Sequence, residues 1–133
     1  MPSVSIWMIR SSLVWLLLTF LTGSLLLLNK GFEISPALWA LLPVHYEMAL
    51  LGWILQFVLG TAYWMFPRHL EGPKRGNRKS AILMVISLNA GIVCSEFALN
   101  HEWVLFAGRL FLLTGVLLFV RLIWGRVVSY RDL

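Results

Sequence analysis

The sequence has one cysteine, Cys94, among 133 residues, which excludes an intrachain disulfide and a paired-thiol redox motif. In an apolar stretch that thiol packs as a small hydrophobe, and no function is assigned to it. Charge is scarce, with Asp, Glu, Lys and Arg making up 13% of the chain and acidic residues numbering 6. There is no glycine-rich phosphate loop, nucleophile elbow, internal repeat or low-complexity linker, so nothing points to phosphate-loop or serine-hydrolase chemistry. What the chain has in excess is apolar surface. Hydrophobic residues are 59% of it and the mean hydropathy is +0.82, more than a soluble domain of this length buries.

The composition therefore predicts an integral membrane protein. A hydrocarbon core of about 30 Å needs roughly 20 helical residues at about 1.5 Å each, and four apolar runs qualify, near residues 11–28, 38–66, 80–99 and 103–124. Lipid cannot satisfy an open backbone, and these runs lack the alternating polarity of barrel strands. The expected fold is all-α: a single transmembrane four-helix bundle over residues 1–133, with a basic loop at 67–79. The first run is long and has no clear small-x-small cleavage site, so a retained helix is expected rather than a signal peptide. Pro36 suits a first helical turn, where its missing N–H costs nothing, and Pro67 marks the end of the second helix.

Arg68, Lys74, Arg75, Arg78 and Lys79 crowd the connection between the second and third runs. Basic residues are retained on the cytoplasmic side during insertion, which makes that loop cytoplasmic and the topology N-in, C-in, in a prokaryotic inner membrane. Arg10, Arg121, Arg126 and Arg131 then fall on the same side, whereas Lys30, Glu33, His101 and Glu102 fall on the other. The net charge of +5 is thus a topology signal; a nucleic-acid surface would need a larger, structured basic element. Trp7, Trp39, Trp64, Trp103 and Trp124 lie near span ends, where an amphipathic ring anchors in the headgroup region.

The second run carries the chemistry. At about 100° per residue, His45, Ala49, Gly52, Gln56, Gly60 and Tyr63 form one stripe. Small residues there let transmembrane backbones approach and Gln56 can bond across an interface, which accounts for all of the stripe except His45. Ionisable groups inside a membrane are rare and usually functional, and a neutral imidazole is a metal ligand.

From Leu38 to Arg68 the segment resembles the second transmembrane helix of the catalytic subunit of heme-copper oxidases and their nitric oxide reductase relatives. It shares the outer histidine (His45), a Gly-Trp step (Gly52-Trp53), a second glycine (Gly60), an aromatic pair (Tyr63-Trp64) and a closing Pro-Arg (Pro67-Arg68). In that family the histidine is an axial ligand of the low-spin heme, so the resemblance implies that His45 ligates the iron of a heme b. The family helix also runs from outside inward, in agreement with the loop charges. The resemblance covers about a quarter of the chain, and the later helices that carry the family's other heme and metal ligands have no counterpart. This chain alone is therefore not expected to be a complete oxygen- or nitric-oxide-reducing enzyme.

A second axial ligand would come from His101, in the outer connection, or from His45 of a second copy; His69 sits at the wrong end of the helix, and Met48 lies about 300° around it. Glu47, Glu96 and Arg109 reach a common depth. Glu96 and Arg109 form the expected ion pair, with a heme propionate as the other partner open to Arg109. Glu47 lies about 200° from His45. Two polar faces on one helix imply a neighbour on each side, as in a homo-oligomer or a larger respiratory complex. Two functions follow: electron transfer within the membrane by a small heme b protein, between partners such as a quinol and a cytochrome, or a cofactor-free accessory or assembly subunit. A metal site built from His45, Glu47 and His101 is disfavoured because the side chains diverge.

Overall fold

A computed structural model describes residues 1–67, 75–96 and 101–127. Within them are four helices and no strand: α1 Ser3–Phe32, α2 Pro36–Met65, α3 Arg78–Glu96 and α4 Glu102–Trp124. Each is long and apolar enough to cross a membrane. Both ends of α1 reach beyond the apolar run 11–28, and its 30 residues span about 45 Å. It stops where Glu33 turns left-handed (φ 48°), with the Glu33 N–H donating to Asn29 O. The Asn29 side chain accepts from Ser35 N at 2.8 Å, and Ser35 caps α2 through Ala37 N, so three residues suffice to reverse the chain. The expected residues 97–99 of the third helix, and Arg68, His69, Lys74 and Arg131, lie outside the described residues.

α2 is not the uniform helix that a 100° step assumes. It opens as a 3-10 turn at Pro36–Ala40, runs as α-helix through Leu41–Glu47, widens into a π-helix at Met48–Leu55, and returns to α-helix at Gln56–Met65. The π section follows directly on Glu47 and ends at Gln56, so the i→i+5 bonding lies between the polar residues of this helix. Phe66 is extended, as the residue before a proline should be.

The packing is that of two antiparallel hairpins. Along the α1–α2 seam, Gly60 lies against Met8 and Ile9, Gly52 against Trp15, and the Gln56 amide donates to Ser11 Oγ at 2.7 Å. The α3–α4 seam is tighter. A Cβ on Gly91 would stand 2.8 Å from Leu112 N and 2.9 Å from Gly108 O, and one on Gly108 would stand 2.9 Å from Ser95 N. These are contacts between backbones, which only glycine permits at this spacing. Trp15 Nε1 donates to Asn89 Oδ1 at 3.0 Å and joins the hairpins, beside a core that includes Met8, Leu59, Met84, Leu88 and Ile92.

The end of α2 is closed by arginines. Arg126, 1% exposed, donates through Nε to Pro67 O (2.7 Å) and through Nη2 to Tyr63 O (2.9 Å) and Phe66 O (2.7 Å). Its guanidinium also lies 5.2 Å from the centre of the Tyr63 ring. Arg75 Nη1 donates to Tyr63 O and Trp64 O. A cation on the carbonyl end of a helix complements its dipole. Burial, with Arg75 nearby, lowers the proton affinity of Arg126.

Because backbone cannot retreat as a flexible side chain can, Gly91→Val and Gly108→Val are expected to destabilise the protein by about 1–3 kcal/mol each. Gly31→Ala, where no atom stands within 4 Å, should be close to neutral. Denaturant unfolding in micelles, followed by circular dichroism, measures the difference.

Candidate functional site

His45 sits in the α-helical part of α2 above the π section, half-buried against α1. Its Nδ1 lies 3.0 Å from Thr19 O and 3.3 Å from Thr22 Oγ1. A carbonyl oxygen can only accept, so Nδ1 carries the proton and Nε2 of the neutral ring keeps its lone pair. The ring has room because position 23 lacks a side chain: a Cβ there would stand 2.8 Å from His45 Cε1. His45 lines a groove of about 580 Å³ between α1 and α2, whose other walls include Phe20, Trp39, Tyr46 and Trp53, with Lys30 as its one charged residue.

The remaining polar residues gather elsewhere. Arg109 forms a two-pronged ion pair with Glu47, Nη1 to Oε2 at 3.0 Å and Nη2 to Oε1. The expected partnership of Arg109 with Glu96 is therefore corrected. All three side chains do reach one depth, but the rotation of α2 brings the Glu47 carboxylate onto the guanidinium, while Glu96 Oε1 is buried without a hydrogen-bond partner among the described residues. The pair ties α2 to α4 with side chains 44% and 27% exposed, on the outside of the bundle and not in the His45 groove. His101 is exposed at the N-cap of α4 and is not a wall of that groove. Among the described residues no group of three or more His, Cys, Asp or Glu side chains could hold a metal ion, so His45, Glu47 and His101 do not assemble into one. Gln56 is fully buried and belongs to the α1–α2 seam.

No known protein family, characterised protein or solved structure matches the chain. The site is therefore read from its own geometry.

Sequence reasoning missed the contribution of α1. Ser5, Ser12, Thr19 and Leu26 are all buried, and steps of seven residues keep them on one helix face. That spacing of small hydroxyl residues in an apolar run was the available signal for the face that receives His45 and Gln56.

The new pairing makes a direct prediction. In a double-mutant cycle, Glu47→Gln and Arg109→Met are expected to couple by about 0.5–1 kcal/mol, as exposed and intramembrane pairs do. Glu96→Gln with Arg109→Met should couple less. Unfolding free energies in micelles give both values.

Proposed function

We propose that the chain is an integral membrane protein, N-in and C-in, and that the groove between α1 and α2 holds a heme b through His45. The observation that carries this reading is the bond from Nδ1–H to Thr19 O. A ligating imidazole commonly donates its second N–H to a carbonyl, which fixes the tautomer, orients the ring and strengthens the donor nitrogen. The aromatic walls and the glycine beneath the ring suit a flat apolar group, and the segment's resemblance to the second helix of heme-copper oxidases agrees. Lys30, at the groove, replaces Arg109 as the cation for a propionate, since Arg109 is engaged by Glu47.

When bound, a heme of this kind passes single electrons. The protein's own part is to fix the rotation of the imidazole through Thr19 and Thr22 and to flank the group with Trp39, Tyr46 and Trp53. Among the described residues no second histidine lines the groove, and a further ligand would come from another chain, in keeping with a homo-oligomer or a larger respiratory complex. Electron transfer between a quinol and a cytochrome is the fitting role. A second reading, a cofactor-free accessory or assembly subunit, is favoured by the same two Nδ1 contacts, which by themselves make His45 a tether between α1 and α2.

The readings separate in the reduced-minus-oxidised spectrum of purified protein. Heme binding predicts a sharp absorption band that His45→Ala abolishes. Gly23→Ala should weaken heme retention, because its new methyl meets the ring, while Gly31→Ala leaves it unchanged. Colourless wild-type protein, with His45→Ala altering only thermal stability, leaves the accessory-subunit reading.

A further inference from the structure

At the opposite end of the bundle from His45, the first turns of α1 and α3 enclose a second groove, of about 340 Å³. Its floor is apolar, with Val4 and Val85 both 8% exposed, and Trp7 and Ile82 stand along its sides. Its polar lining is confined to Ser3 and Arg78, the residues that open the two helices. Among the described residues no carboxylate lines it. Neither helix has an acidic residue in its first turn; Asn77 Oδ1 accepts from Lys79 N at the start of α3, whereas Pro2 gives α1 no side-chain cap, so the positive end of the α1 peptide dipole adds to the Arg78 charge. Trp7 is 70% exposed, as an indole at headgroup depth would be.

We propose that this groove is a binding site for one anionic phospholipid. The apolar floor takes an acyl chain, while Arg78 and the Ser3 hydroxyl take the phosphate. A fixed guanidinium is well suited to a phosphate, with two parallel N–H donors. Zwitterionic lipids meet the apolar floor equally well but present an ammonium group to a rim that is already cationic. Inorganic phosphate meets the rim but leaves the floor uncovered. The occupant selected by both halves of the groove is a lipid with net negative charge. This inference stands on residues remote from His45 and does not depend on heme binding.

The test is native mass spectrometry of the full chain from micelles doped with equal phosphatidylglycerol and phosphatidylcholine. The wild type is expected to retain one phosphatidylglycerol in preference to phosphatidylcholine. Arg78→Gln should lower that retention about five-fold, the ratio equivalent to about 1 kcal/mol per basic side chain at an anionic lipid surface. Ile82→Trp, which fills the groove without removing charge, should lower it as well, whereas Arg121→Gln, on α4, should not. Equal retention of the two lipids overturns the proposal. So does loss in Arg121→Gln to the same extent as in Arg78→Gln, unchanged retention in Ile82→Trp, or displacement of the lipid by millimolar inorganic phosphate. Size-exclusion elution of each variant at the wild-type volume confirms that folding is not the variable.

Discussion

Close approach of backbones is the constraint on which the rest of the structure depends. Lipid tails are as apolar as leucine, so helices in a membrane gain little from hiding apolar surface against each other, and cohesion falls to van der Waals contact and hydrogen bonds. In α3 and α4 this contact is made at Gly91 and Gly108, where one backbone rests on the other. In α1 and α2 it is made at Gly52 and Gly60 against side chains, with Gln56 and His45 adding polar contacts. The tighter hairpin contains little that titrates at its seam. The looser one carries the groove, and that difference in spacing is what leaves space beside His45.

Charge is distributed by the same economy. Glu47 and Arg109 neutralise one another on the outside of the bundle, about seven residues, or about 10 Å, along α4 from its start. The pair lies near the helix ends with its side chains 44% and 27% exposed, which lessens the desolvation that a deeply buried pair would suffer. Between this level and the arginines at the other end, the described amides and hydroxyls bond mostly to their own helix or across a seam, with Ser5 Oγ and Gln56 Oε1 buried without a partner. Trp15 and Asn89 are the clearest of these cross-links.

Much of this was legible in the residue order. Hydropathy located four spans, and a 100° step placed His45, Gly52, Gln56 and Gly60 on one face, which is the face that meets α1. Helix ends were less legible, because hydropathy reports depth in hydrocarbon and not where hydrogen bonding stops; hence the longer α1. The partner of Arg109 was not legible, because two carboxylates at one height differ only by rotation about their helices. The π section was hidden for a related reason: Met48–Leu55 is uniformly apolar, and its widening is a property of backbone pairing that no side chain announces. Thr19 entered the site through its carbonyl, a group that every residue has. For Trp39, position near a span end suggested anchoring, and Trp53 stood out only as part of the Gly52-Trp53 step, whereas the groove they share with Tyr46 is visible only once α1 is docked.

The arginine closure of α2 bears on the order in which the bundle is made. At the exit of the second helix the carbonyls of Phe66 and Pro67 accept from Arg126, and that of Tyr63 accepts from both Arg75 and Arg126; Arg126 emerges during synthesis only after the fourth helix. The first hairpin can form early, but the exit of its second helix is completed by a residue that follows the fourth helix. Biogenesis is therefore sequential at the top of the bundle and convergent at the bottom, and a chain truncated before residue 126 would leave the oldest pair of helices unfinished.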